Sequence, residues 1–170
     1  MAVAWTICRA ICCVSPELEP ERCAFEAANA RFAERVTMPE GVLFGLVSPR
    51  SGFDPQLNRR QVESNIRFCD FFLQLFGETP PDPVYPEFAG LAAACAADPA
   101  FPLRSAVIVF RNPESAAGEM AALRNKLIAD SRCTVHDFHN ESEFDSVAEA
   151  ILTGWWANIQ ESVAAPAAGR

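Results

Sequence analysis

Five short apolar runs, each fenced by proline, glycine or polar turn residues and followed by a segment of helical period, predict an α/β fold built on a parallel sheet. The most informative run covers residues 69–76, which is rich in phenylalanine and stops at Gly77 ahead of Pro80, Pro81 and Pro83. It is too short for a buried helix and has no polar face, so it reads as a strand buried on both sides. Strands of that kind belong to parallel sheets covered by helices on both faces, and this one is expected at the centre.

The first strand is expected over Thr6–Val14, closed by Ser15 and Pro16. Residues 17–36 then place Phe25, Ala28, Phe32 and Val36 at helical spacing with charged residues opposite. Glu17, Glu19 and Glu21 crowd the first turn, where acids complement the helix dipole. Pro39 and Gly41 break the chain before a second strand, Val42–Val47. Residues 48–55 read as loop, and 56–68 as a polar helix turning Leu57, Val62 and Ile66 inward. After the central strand and its prolyl loop, 87–97 reads as a short helix with Phe88, Leu91 and Cys95 inward, ended by Pro99 and Pro102. The β-branched run 105–110 is the fourth strand, and Asn112–Pro113 closes it. Met120, Leu123, Leu127 and Ile128 mark a fourth helix, and 133–138 a weaker, alternating edge strand. The last helix carries Phe144, Val147, Ala148, Ile151, Leu152, Trp155, Trp156 and Ile159 on one stripe. Residues 163–170 read as a frayed tail, which leaves a single domain over 1–162.

Five βα units with right-handed crossovers close as a three-layer αβα sandwich, for which the flavodoxin-like order 2-1-3-4-5 is expected. In that order the strand sequence reverses between the first and third strands. Ligands of open α/β sheets sit in the crevice there, beyond the carboxyl ends. The loops after Val14 and after Phe76 should therefore face each other across any site.

Composition narrows the function. Half of the 170 residues are hydrophobic and 21% are charged, as in a folded globular chain. The formal charge of −8 argues against binding nucleic acid or an anionic membrane surface, both of which need a basic face. Lys126 is the sole lysine among fourteen basic residues and alanine is abundant, which reads as bacterial codon usage. The seven cysteines are scattered with no Cys-x-x-Cys pair, so zinc-ribbon and thioredoxin-like readings have no support. Cys8, Cys12, Cys69 and Cys133 fall in or beside apolar runs, where free cysteine acts as a small hydrophobe, and a reduced cytoplasmic protein is expected. The apolar start is interrupted by Arg9 and lacks a basic lead, so it reads as the first strand rather than a signal peptide or membrane span.

Three stretches together resemble a known family. The first is Val14–Ser15–Pro16 leading to Leu18 and Glu21–Arg22; the second runs from Pro55–Gln56–Leu57–Asn58, with Glu63, into Cys69–Asp70–Phe71–Phe72. The third is Pro86–Glu87–Phe88 with Ala92–Ala93, followed by a strand ending Phe110–Arg111–Asn112–Pro113. In order and spacing these resemble the TIR-like domain of unknown function found at the N-terminus of bacterial STAND NTPases and related signalling proteins. That domain belongs to the TIR and nucleoside deoxyribosyltransferase-like superfamily. The resemblance spans residues 6 to about 158 and implies a flavodoxin-like TIR sandwich. In catalytic members, a glutamate at the start of the helix after the third strand serves cleavage of NAD at the nicotinamide–ribose bond or attacks a nucleoside sugar. Glu87 matches that position. The turn after the first strand is a residue shorter than the usual version, and no serine precedes Glu87.

Glu87 is thus the candidate catalytic residue, because a carboxylate beside a ribose can stabilise an oxocarbenium-like state or form a covalent intermediate. A glutamate just inside a helix also serves as a plain dipole partner. Ser15, Arg50 and Glu78 are candidate ligand-binding residues: Ser15 for a phosphate or ribose, Arg50 for an anion, Glu78 from the loop across the crevice. The ordinary roles of Ser15 and Arg50 are a turn and a solvated loop. Arg22 is expected to pair with an acid, and Asp70 to bond the preceding turn. His136 and His139, three apart on a strand, project to opposite faces and make no metal pair, and no metal or cofactor is expected. No Walker loop, Gly-x-Gly-x-x-Gly or Ser-His-Asp order occurs. Two readings follow. One is a TIR-like signalling or interaction module acting through self-association or a partner protein, with the catalytic position vestigial. The alternative is an N-glycosidase or transferase that cleaves the base–ribose bond of NAD or a nucleoside with Glu87.

Overall fold

Every residue of β3, Phe71–Phe76, is buried in the computed structural model, which describes residues 5–48, 54, 56–114 and 118–164. β3 lies between β1, Thr6–Val14, and β4, Ser105–Arg111, and is parallel to both. β2, Val42–Val47, and β5, Thr134–Phe138, form the edges, giving one five-stranded parallel sheet of order β2-β1-β3-β4-β5. This is the predicted flavodoxin-like order. Its register sets Val14 opposite Leu75 and Phe76 opposite Phe110, so the three central strands end at one level.

The helices are α1, Glu19–Phe32; α2, Arg59–Phe68; α3, Val84–Ala97; α4, Gly118–Ala129; and α5, Glu141–Ala164. Alternating side chains of each strand feed opposite layers. Phe71, Leu73 and Leu75 enter the layer under α1 and α5, with Phe25, Phe44 and Trp155. Phe72 and Phe76 enter the layer under α2, α3 and α4, with Ile66, Phe88 and Phe110. In the first layer the Trp155 indole stacks on Phe71 at 4.8 Å and meets Phe44 and Phe25 edge-on at 5.7 and 5.8 Å. Each such aromatic contributes about 1.5–3 kcal/mol of transfer free energy when taken from water. This doubly covered sheet explains why β3 contains no solvated position.

Several boundaries and faces differ from expectation. The helix anticipated over 56–68 begins at Arg59, because the Asp54 carboxyl accepts the N–H groups of Gln56 (2.8 Å) and Leu57 (3.2 Å) and holds them in a turn. Leu57 therefore lies outside the helix and is 84% exposed instead of facing inward, while Val62 and Ile66 are buried. α4 buries only Met120 and Leu127, seven residues apart, and leaves Ile128 half exposed. α3 starts at Val84, a turn before Glu87, because the Asp82 carboxyl accepts the Val84 N–H at 3.0 Å and Pro83 suits a helix start. β3 starts at Phe71 rather than Cys69. Asp70 is tied sideways instead, its carboxyl accepting the Arg9 N–H at 2.8 Å and pairing with Arg104 at 3.5 Å. After Phe32 the first helix widens through Ala33–Thr37 and tightens through Met38–Glu40 before Gly41, at φ 72°, reverses the chain. Arg22 pairs with Glu19 and Glu26 on its own helix. α5 continues to Ala164, and the rest of the anticipated tail, 165–170, lies outside the described residues. Among the described residues no helix is long and apolar enough to cross a membrane.

Candidate functional site at the carboxyl end of the sheet

The strand order reverses between β1 and β3, and the loops leaving these two strands meet. Ser15 is buried there; its N–H and its hydroxyl both donate to Leu75 O, at 3.1 and 3.3 Å, which ties the end of β1 to the end of β3. Two residues on, the Glu17 carboxyl spans the crevice and accepts from the Thr79 N–H (3.2 Å) and the Thr79 hydroxyl (2.5 Å). It lies directly against Gly77, where an added Cβ would fall 1.5 Å from Glu17 Oε1. Gly77→Ala should therefore evict the Glu17 side chain and release its bonds to Thr79. Since a flexible side chain yields easily, the expected loss is about 1 kcal/mol. A double-mutant cycle with Glu17→Ala checks this, because the two changes remove the same contact and their costs should not add.

The loop after β4 supplies the third wall. Glu78 accepts a hydrogen bond from the Asn112 side-chain amide and lies 3.9 Å from Arg111 Nε, while Arg111 Nη1 meets Glu21 at 3.4 Å. Asn112 takes a left-handed backbone, φ 44°, which asparagine tolerates better than most residues, and its N–H donates to Phe138 O at 2.9 Å. Glu21 and Glu78 thus face one arginine, while Glu17 holds Thr79 in the loop next to Glu78. Glu17, Thr79 and Arg111 were not among the sequence candidates. Glu17 looked like an ordinary first-turn acid, and the only pointer to Arg111 was its place in the Arg-Asn-Pro stretch at the end of β4.

Glu87 lies at the same end of the sheet, in the first turn of α3, facing α2. Its carboxyl is about half exposed and pairs with Arg59, the first residue of α2, which also donates to Glu63 at 2.8 Å. The adjacent turn is braced by Gln56, whose side-chain amide donates to Asp82 at 2.7 Å. Below the start of α3, burial pushes the Tyr85 hydroxyl up to about 12, with Cys13 and Asp82 adding to the shift. Cys13 is buried against it and its thiol is raised well above the usual value by the same desolvation. Gln74, fully buried on this face of β3, has an Oε1 with no hydrogen-bond partner among the described residues. The candidates Ser15 and Glu78 therefore share the β1–β3 crevice, Glu87 flanks it on the α2–α3 side, and Arg50 lies outside the described residues.

A cavity of about 290 Å³ opens beside the crevice between α1 and α5, lined by Pro20, Glu21, Ala24, Glu141, Phe144 and Asp145. A second, of about 260 Å³, lies at the ends of β4 and β5, where Arg124 pairs with Asp137 next to His139. His139 Nδ1 lies 2.8 Å from Glu143 and Nε2 lies 2.6 Å from Glu114, so both ring nitrogens donate when the ring is protonated. These bonds raise the His139 pKa above 6.5 and lower that of Glu143 below 4.5. A raised histidine pKa contributes stability that is present below pH 6.5 and lost as pH rises through the folded value; the lowered Glu143 contributes above pH 4.5 and is lost on acidification. His139→Gln should therefore lower the melting temperature at about pH 5.5 and leave it unchanged at about pH 8.5, as read by thermal denaturation. A difference that persists undiminished at the higher pH would contradict this. His136, half buried on β5, shifts the opposite way because burial disfavours its charged form. Among the described residues no group of three His, Cys, Asp or Glu side chains is arranged to hold a metal ion.

No family model and no curated protein matches the sequence. Solved structures do match the fold. The CMP N-glycosidase BcmB of Clostridium botulinum superposes with a TM-score of 0.51 at 15% identity, covering 84% of this chain and 98% of its own. The Flv1 flavodiiron core of Synechocystis sp. PCC6803 superposes with a TM-score of 0.52 at 12% identity, covering 95% of this chain and 37% of its own. At such identities the likeness shows a shared three-layer α/β architecture.

Proposed function

We propose that this chain is an N-glycosidase that cleaves the bond between a base and C1′ of its ribose, with Glu87 as the catalytic carboxylate. The observation that carries the reading is the placement of Glu87, exposed and ion-paired by Arg59, at the carboxyl end of the sheet beside the point where the strand order reverses. The CMP N-glycosidase that superposes over almost its whole length is consistent with the same chemistry. In the reaction the C1′–N bond breaks and the base leaves with the electron pair, to be protonated. Glu87 stabilises the cationic sugar or bonds to C1′ in its place, and water then supplies the hydroxyl of the released ribose. Arg59 is a positioning residue: it keeps the Glu87 carboxyl facing one way through α2 rather than touching the sugar.

The test is release of free base by the purified full chain from a panel of nucleosides, nucleotides and NAD. Turnover that disappears in Glu87→Gln supports the reading, and a panel left intact at high protein concentration removes it. A second reading, an interaction module without catalysis, is favoured by one observation. Ile7, Val47 and Phe68 are exposed near the β2 edge, and Val47 and Phe68 line one shallow cleft.

A further inference from the structure

Resting on the glycosidase reading, we infer that the substrate is a nucleoside without a 5′-phosphate, and that nucleoside monophosphates and dinucleotides such as NAD are discriminated against. Open α/β sheets seat phosphate on free backbone N–H groups at the helix starts around the strand reversal, aided by the positive end of the helix dipole. Both such starts are poor in N–H donors and rich in acid here, for reasons built into the sequence.

After β1, the chain enters α1 through Pro16 and Pro20, which have no N–H, and the Leu18 N–H donates to Ser15 O at 2.9 Å. Glu17, Glu19 and Glu21 alternate with these residues and set negative charge on the dipole's positive end. After β3, Pro80, Pro81, Pro83 and Pro86 have no N–H to give. Three further N–H groups are already engaged: Thr79 on Glu17 (3.2 Å), Val84 on the Asp82 carboxyl (3.0 Å) and Tyr85 on Asp82 O (3.0 Å). The guanidinium in the crevice, Arg111, already faces Glu21 and Glu78. A phosphate entering between β1 and β3 would therefore meet the carboxylates of Glu17, Glu21 and Glu78 beside prolines that have no N–H to offer. The hydroxyls of an unphosphorylated ribose are donors, and the same carboxyl groups can accept from them.

The experiment compares kcat/KM for cytidine and adenosine with their 5′-monophosphates and NAD, using the full chain. The expected result is a preference of at least about 30-fold for the nucleoside, since like charges set together in a site cost several tenfold steps. The double variant Glu17→Gln with Glu78→Gln should narrow that ratio by about tenfold or more as two negative charges leave the crevice. A monophosphate or NAD turned over as well as the free nucleoside overturns this inference while leaving the glycosidase reading standing. If no compound is cleaved, the glycosidase reading falls and the inference with it. Calorimetric titration of Glu87→Gln protein gives a second readout: tighter binding of cytidine 5′-monophosphate than of cytidine overturns the inference whatever the turnover.

Discussion

Glu87→Gln should reduce base release by about a thousandfold or more, while the melting temperature stays within experimental error of the parent. The size follows from the chemistry: a neutral amide can neither stabilise a cationic sugar nor attack C1′, and loss of about 4 kcal/mol of transition-state stabilisation is a thousandfold in rate. The unchanged stability follows from the structure. Glu87 is about half exposed, its partner is the half-exposed Arg59, and Arg59 keeps Glu63 when Glu87 is neutralised. Exposed pairs of this kind contribute little to folding. Arg59→Ala should fall between, lowering kcat more than it raises KM, because it loosens the carboxyl without removing it. Equal activity in Glu87→Gln and parent protein would show that any glycosidase chemistry uses another acid, and Glu78 and Glu21 would be next in line.

Trp155→Ala should cost about 3–5 kcal/mol of stability, enough to threaten folding of a domain this size. Trp155 is 1% exposed and is the common neighbour of Phe71 from the central strand, Phe44 from the edge strand and Phe25 from α1. Truncation leaves a cavity between three elements that cannot collapse into it at once. Trp155→Phe should cost less than half as much. It keeps the ring stack and removes a buried indole Nε1–H that has no partner among the described residues, which offsets part of the lost volume. Urea denaturation measures both, with unchanged slopes expected. A Trp155→Ala cost below about 1.5 kcal/mol would mean that the α5 layer is not packed as described. Trp156, its half-buried neighbour in sequence, is the control and should cost much less.

The contrast between these two tryptophans shows how much of the molecule was readable beforehand. Both sit on the apolar stripe of the last helix, and period alone does not rank them; contact with Phe71 does. Leu57 and Ile128 were misplaced for the same kind of reason. Leu57 fits a helical stripe, but its N–H donates to the Asp54 carboxyl in the turn before α2; Ile128 fits too, but α4 buries only Met120 and Leu127. The start of α3 was expected a turn late, because a proline-rich stretch gives no periodic signal and the Asp82 cap is seen only in three dimensions.

The strands, their parallel pairing and their order follow from the sequence alone. Apolar runs bounded by breakers and joined by helices leave the chain few right-handed ways to bury both faces of its sheet. The tertiary structure decided which acids meet. Glu17 reaches Thr79 across 62 positions and Glu21 reaches Arg111 across 90, and such contacts depend on the register of β1, β3 and β4 and on side-chain direction. Local pattern encodes burial because burial repeats along the chain, whereas a site is a single meeting of distant residues and leaves no period to read.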